Sequence, residues 1–207
     1  PCYDEGIEKP VLFSISTSGP IERSVMLSES AMIQPTLVPV DGALKMFCRN
    51  FDRSRVEGRS AKVTSIAYSA AQKRILFSKE MDTVIPNNNE SLAAIHDMGG
   101  NSIVVYNAEV GRKKLTVATI GSEKSKDGDF NRITIDPLIV INDTEKASYP
   151  NCCYNRQKQL VVVFTSYDGN GINDGSEISI VTLSKNYKKI LSRKYISPSD
   201  IPEVEVD

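Results

Sequence analysis

The chain has 207 residues, with 25 basic and 26 acidic side chains and a formal net charge of −1. This length is enough for one domain with a sizeable core, and the balanced charge gives no reason to expect nucleic acid or an acidic membrane surface as a partner. No apolar run approaches the roughly 18 residues that a membrane span needs. The opening PCYDEGIEKP has neither a basic start nor an apolar run, so no signal peptide is visible.

The four cysteines and the single histidine restrict the chemistry. Cys152 and Cys153 are adjacent, and neighbours in a strand point to opposite faces, so a disulfide between them is not expected. With no CxxC spacing and only His96, we expect no metal site and no cofactor. One histidine also leaves little room for a Ser-His-Asp or Cys-His mechanism. The redox compartment stays open.

The apolar segments are short and rich in β-branched residues, and glycine or polar clusters separate them. No window of a dozen residues carries a helical stripe, so the fold is predicted to be all-β. In chain order, strands are predicted at Leu44–Cys48, Ser102–Tyr106, Leu115–Ile120, Leu160–Thr165 and Ile178–Leu183.

A polar residue followed by strand, turn and strand recurs three times. The first copy starts at Gln34 and turns at Asp41-Gly42, the second starts at Glu90 and turns at Asp97–Gly100, and the third starts at Tyr149. The starts, near residues 33, 90 and 149, lie about 56 to 59 residues apart, within the range of four-stranded propeller blades. A sandwich would also supply many strands, but it gives no reason for a fixed period. We therefore predict a β-propeller of four-stranded antiparallel blades.

The repeats account for about three to four blades, whereas a propeller ring usually has at least four and often six or more. Residues 1–207 are accordingly interpreted as a single portion of one propeller. The N-terminal blades would come from the same chain or from a separate one.

Matching strand ends of successive blades converge on one mouth of a propeller. Arg49 ends a strand of the first copy, Arg112 opens one in the second, and Tyr149 opens the third. Two guanidinium groups at one mouth suggest recognition of a carboxylate, because each donates paired hydrogen bonds that match the two oxygens. The alternative for each arginine is a solvated cation at a strand end.

Five short segments carry further motifs in a fixed order. They are Ile33–Leu37 (IQPTL), Pro86–Ser91 (PNNNES), Arg112–Val117 (RKKLTV), Ser125–Phe130 (SKDGDF) and Glu145–Pro150 (EKASYP).

In this order the segments resemble the sialidase (neuraminidase) superfamily, nearest to its BNR-repeat, Asp-box proteins, over residues 33 to 183. The third and fourth segments are similar to the family pattern R-x-x-L-x-V-x-x-S-x-D-G-x-x-W, shortened and with Phe130 in place of tryptophan. The fifth is similar to the segment that bears the nucleophilic tyrosine. The resemblance implies a sialidase-like ring, six-bladed when complete.

The resemblance also implies roles for residues of this chain. Tyr149 would attack the anomeric carbon, and Arg49 and Arg112 would clamp the substrate carboxylate, with Asn89 and Asn107 as further substrate contacts. Tyrosine nucleophiles are the sialidase exception to the two-carboxylate pattern of glycosidases.

A phenol with a pKa near 10 needs an adjacent base to act at neutral pH. The family supplies a glutamate at the position of Gln34, and a glutamine cannot accept the phenolic proton. Glu90 and Glu145 are the candidate substitutes, each with a solvated loop carboxylate as the alternative.

Three functional hypotheses follow. The first is a sialidase-like glycoside hydrolase acting on a terminal acidic sugar, with an acidic glycan or sialoglycoconjugate as partner. The second is a catalytically degenerate propeller that binds glycan or protein, and the third is a purely structural propeller. The resemblance favours a secreted, surface or lysosome-like location, which the sequence itself leaves unknown.

Overall fold

The computed structural model describes residues 2–4, 6–14, 21–26, 31–51, 59–86, 90–97, 99–124, 131–167 and 176–197. These residues form antiparallel strands joined by turns, and no helix occurs among them, so the prediction of an all-β fold is confirmed. None of the described residues, therefore, belongs to a helix long and apolar enough to cross a membrane.

The strands form four sheets, A to D, in chain order. Sheet A contains β1 (Cys2–Asp4), β2 (Lys9–Ser14) and β3 (Glu22–Val25). Sheet B contains β4 (Met32–Val40), β5 (Ala43–Asn50), β6 (Ser60–Ser69), β7 (Arg74–Phe77) and β8 (Met81–Pro86). Sheet C contains β9 (Ala93–His96), β10 (Ser102–Glu109), β11 (Lys113–Lys124) and β12 (Asn131–Asn142). Sheet D contains β13 (Lys146–Tyr154), β14 (Leu160–Tyr167), β15 (Glu177–Leu183) and β16 (Ile190–Ile196).

Each full sheet is an antiparallel meander. Sheets C and D each have four strands in sequence order. Sheet B also follows sequence order, but β7 and β8 both pair with β6, one at each end of that strand. The Asp41-Gly42 turn joins β4 to β5, and both residues have positive φ (48° and 79°). Two such residues make the type I′ turn that suits a two-residue hairpin, as the Asp-Gly pair predicts.

The sheets stack face to face in chain order. One apolar cluster joins A to B through Leu12 and Met46, a second joins B to C, and a third joins C to D through Val105 and Phe164. The innermost strand β9 lies between β4 and β13, and β1 lies against β4. Four sheets with their first strands side by side are sectors of a radial array, not the two layers of a sandwich, which confirms the propeller of four-stranded antiparallel blades.

This stacking explains why one predicted strand has no polar alternation. Ile103 and Val105 face sheet D, while Val104 and Tyr106 face sheet B. A central blade is covered on both faces, so its strands are continuous apolar runs.

Two of the innermost strands carry the same irregularity. The pairing of β4 with β5 shifts register between Ile33 and Thr36, and that of β13 with β14 shifts between Ser148 and Asn151. The residues that open these bulges, Gln34 and Tyr149, have φ of 51° and 52° and precede prolines. Left-handed backbone at non-glycine residues costs about 1–3 kcal/mol and clusters at functional sites.

Candidate functional site

One end of the sheet stack, called the mouth here, collects most of the predicted site residues. Antiparallel pairing places the starts of β4, β9 and β13 beside the ends of β5, β10 and β14. The turn between β10 and β11 lies at the same end, where the Ala147 N–H donates to the Arg112 carbonyl at 2.8 Å. The blade architecture therefore brings residues from sheets B, C and D to one place.

A buried hydrogen-bond network forms the centre of the mouth. The Arg112 Nε lies 2.7 Å from Glu90 Oε2, and its Nη1 donates to Ser148 Oγ at 3.0 Å and to Tyr167 OH at 2.8 Å. Ser148 Oγ in turn donates to Glu90 Oε2 at 3.0 Å and lies 3.0 Å from Tyr167 OH. The Arg112 side chain keeps 21% of its surface exposed, whereas that of Glu90 keeps 2%.

Burial and charge pairing act in opposite directions on the pKa values of Glu90 and Arg112. Burial raises the pKa of Glu90, against the opposing effects of Arg112 and the Ser148 hydroxyl. Burial also disfavours charge on Arg112, but Glu90 and Tyr167 outweigh it and raise the pKa of Arg112. The asymmetry follows from exposure, because the enclosed carboxylate loses nearly all of its hydration while the guanidinium retains part of its own.

Arg49 supplies a second guanidinium beside this network. Its Nη1 donates to Gln34 Oε1 at 3.2 Å, and its guanidinium carbon lies 5.1 Å from the centre of the Phe51 ring. Burial lowers the pKa of Arg49; Glu90 and Tyr149 oppose this effect, and Arg112 adds to it. Arg49, Arg112, Glu90 and Tyr149 therefore lie close enough for their charges to interact.

Tyr149 is the exposed member of the group. Its side chain stands at the bulge of β13 with 44% of the residue exposed. Among the described residues, none accepts a hydrogen bond from its hydroxyl or donates one to it. The phenol is thus accessible, and the described part of the mouth provides no bonded base for it.

The remaining predicted site residues have different surroundings. Glu145 lies in the turn before β13, where its backbone carbonyl accepts from Asn142 Nδ2 at 2.9 Å, and no ion pair or hydrogen bond joins its carboxylate to another described residue. Asn107 is buried, and its Nδ2 donates to the Ala147 carbonyl at 3.1 Å. Asn89 lies outside the described residues, as do the Ser125–Phe130 motif and the central part of the asparagine-rich segment.

Sequence reasoning missed Ser148 and Tyr167. Serine and tyrosine in strands are ordinary packing residues, so composition gives no signal for either. The repeat does contain a signal. Ile33 pairs with Arg49 in sheet B, and Ser148 pairs with Thr165 at the equivalent place in sheet D, so Ser148 corresponds to Ile33 and Thr165 to Arg49. Two residues further on, Tyr167 corresponds to Phe51, the ring beside Arg49.

A cavity of about 940 Å³ lies away from the mouth, between β3 and the region where β7 gives way to β8. Of the described residues that line it, including Arg23, Arg74 and Glu80, none belongs to the predicted site. Within the described ranges, no group of three or more His, Cys, Asp or Glu side chains could hold a metal ion.

Comparisons with known proteins include two remote structural likenesses. No family model and no curated protein matches the sequence. The fold is similar to that of a thermostable family-43 glycoside hydrolase, with a TM-score of 0.48 and 14% identity over 81% of this chain and 53% of that chain. It is also similar to an endo-arabinase from Bacteroides thetaiotaomicron VPI-5482, with a TM-score of 0.45 and 9% identity over 83% and 69%. The chain spans about half of the first structure, and likenesses at this level assign neither substrate nor mechanism.

Proposed function

We propose that the mouth is the acidic-sugar site of a sialidase-like glycoside hydrolase. The proposal is supported by the contacts of Arg112, in sheet C, with Glu90 and with Ser148, the neighbour of Tyr149 in sheet D. Arg49 of sheet B lies close enough to Glu90 and Tyr149 for their charges to interact. Two guanidinium groups beside one carboxylate leave the site with net positive charge, which favours an anionic ligand.

Arg112 is suited to binding a carboxylate because the described residues engage only part of its guanidinium. Glu90, Ser148 and Tyr167 use its Nε and Nη1, and no described residue accepts from its Nη2. A sugar carboxylate would take up this donor, with Arg49 supplying the second positive charge. A planar, preoriented fork of this kind is what recognition of a carboxylate requires.

The reaction would follow the tyrosine route. The Tyr149 oxygen attacks the anomeric carbon, the glycosidic bond breaks with protonation of the leaving oxygen, and water later hydrolyses the tyrosyl–sugar bond. Gln34 cannot take the phenolic proton, and the Glu90 oxygen nearest the network is bound to Arg112 and Ser148. Glu145, whose carboxylate has no described partner, is a remaining candidate base for the phenol, and the acid that protonates the leaving oxygen would come from further blades of the ring.

The same observations favour a second candidate, a glycan-binding propeller without catalysis. Binding an acidic sugar does not require a catalytic base, so it would be possible with Gln34 at the position of the base and with Glu90 paired to Arg112.

Turnover of a fluorogenic sialoside and binding of free sialic acid by the full-length protein separate the two candidates. For the enzyme, Tyr149→Phe lowers turnover by roughly 10³-fold or more and changes binding little. Tyr68→Phe, at an exposed tyrosine of β6, is the matched control and leaves both unchanged. Binding without turnover supports the second candidate, and the absence of both contradicts either.

A further inference from the structure

Ser148 is fully buried, and its single hydroxyl contacts three functional groups of the mouth. A serine hydroxyl carries one proton and two lone pairs. Its proton goes to Glu90 Oε2, so it must accept from both of its other neighbours, Arg112 and Tyr167.

The rest of the network agrees with this assignment. Tyr167 gives its proton to Ser148 and accepts one from Arg112 Nη1, whose two N–H groups are then divided between the two hydroxyls. The Arg112 Nε lies 2.7 Å from Glu90 Oε2 and forms an ion pair with it. The two Nη1 hydrogen bonds and the ion pair with Glu90 fix the plane of the guanidinium and the direction of Nη2, from which no described residue accepts.

Ser148 is also the chain neighbour of Tyr149, at the point where the strand leaves regular pairing. The corresponding bulge at Gln34 is preceded by Ile33, a buried residue with no hydroxyl. A bulge of this kind therefore forms without a serine. The Ser148 hydroxyl is explained by the groups that it holds rather than by the shape of the backbone.

We propose that Ser148, together with Tyr167, is a positioning residue that orients Arg112 toward the substrate carboxylate and fixes the start of the segment presenting Tyr149. The part that concerns the substrate rests on the proposed function. The part that concerns the orientation of Arg112 does not.

The test uses Ser148→Ala, Tyr167→Phe and the control Ser166→Ala in the full-length protein. Ser166 is a buried serine of the same strand pair whose hydroxyl bonds only to Ser179 Oγ, at 2.8 Å. The first readout is the Nε–H signal of Arg112 in a ¹⁵N-labelled sample, which requires no ligand. We expect its chemical shift to move in Ser148→Ala and Tyr167→Phe, because the guanidinium reorients relative to Glu90, but not in Ser166→Ala.

The second readout is affinity for free sialic acid. Ser148→Ala is expected to weaken it by roughly 10- to 100-fold, as for a lost hydrogen bond to a charged group. An unchanged Arg112 signal in both variants, or an equal change in the control, overturns the inference. If the signal moves but wild-type protein binds no acidic sugar, the orientation of Arg112 stands and the proposed function fails. If Ser148→Ala does not fold, Tyr167→Phe decides, because it removes one proton from the network without adding volume.

Discussion

Arg112 owes its place in the mouth to its backbone. It has a φ of 66° and follows Gly111, with a φ of 80°, in the turn between β10 and β11. Consecutive left-handed residues turn the chain so that the side chain of Arg112 reaches across to sheet D. A charge alone would not be enough there, since the site uses the planar fork of the guanidinium.

Arg112→Lys is therefore expected to weaken the binding of an acidic sugar by roughly 10- to 100-fold, although the charge is kept. Calorimetric titration of the full-length protein measures the change. The control is Lys114→Ala in the adjacent strand, which removes a cation that pairs with the exposed Glu109. Equal binding by Arg112→Lys and wild type would mean that the guanidinium fork does not contact the ligand.

The stability of the protein should depend on pH through the Glu90 carboxyl. Burial raises the pKa of this carboxyl above its ordinary value of about 4.3, so the folded protein takes up the proton before the unfolded chain does. As pH falls from the raised pKa to the ordinary one, wild type should gain stability relative to Glu90→Gln. Urea unfolding of both proteins across this range measures the difference, with Glu109→Gln, at an exposed glutamate, as control. A difference that does not change with pH would contradict the burial of a charged Glu90.

At the scale of the element, the bulge of β13 determines how Tyr149 is presented. Its left-handed backbone is costly for any side chain with a Cβ and free of that cost for glycine. The backbone at this bulge is therefore less stable than that of a regular strand. The exposed phenol of Tyr149 lies at this bulge, above the buried network around Glu90 and Arg112.

Tyr149→Gly is accordingly expected to be more stable than Tyr149→Ala, by about 1 kcal/mol. At Asn151, two residues further along β13 and without positive φ, the order should reverse, because glycine weakens a regular strand. Thermal and urea unfolding of the four variants give both differences. If the same residue, alanine or glycine, gave the more stable variant at both positions, the left-handed backbone of Tyr149 would be contradicted.

The elements differ in how far the sequence predicts them. The five predicted strands lie within observed strands, because short apolar runs bounded by turn residues depend on local chemistry. The Asp41-Gly42 turn is predictable for the same reason. The bulges are not, since the residue before a proline ordinarily prefers extended backbone, whereas Gln34 and Tyr149 have positive φ.

The same division applies to the site. Arg49, Arg112 and Tyr149 could be predicted from the repeat, because equivalent strand ends must meet around an axis. The parts played by Ser148 and Tyr167 depend on which residues face each other after the register shift, and a sequence read strand by strand does not contain that information.

At the scale of the whole molecule, stability comes from the interfaces between sheets. Phe164 of sheet D is buried in the cluster that it shares with Val105 of sheet C. Because sheets C and D cover each other at this cluster, removal of the Phe164 side chain should destabilise both sheets. The mouth, which draws residues from sheets B, C and D, depends on these interfaces remaining intact.

Phe164→Ala is expected to cost about 3–5 kcal/mol of unfolding free energy, whereas Tyr195→Ala, at a half-exposed position, should cost less than about 0.5 kcal/mol. Hydrogen exchange of the Phe164 variant should show reduced protection in β10 as well as β14. Loss confined to sheet D would show that the sheets are not coupled through this cluster.

A titration of the ¹⁵N-labelled protein with free sialic acid, followed through the Nε–H signals of its arginines, shows whether Arg49 and Arg112 form one carboxylate site. Arg49 and Arg112 should shift together along one binding curve with a single Kd, while Arg74, which pairs with Ser69 at the opposite end of sheet B, stays unchanged. Signals of Arg49 and Arg112 that remain fixed at high ligand concentration, or that respond separately, would contradict a shared carboxylate site.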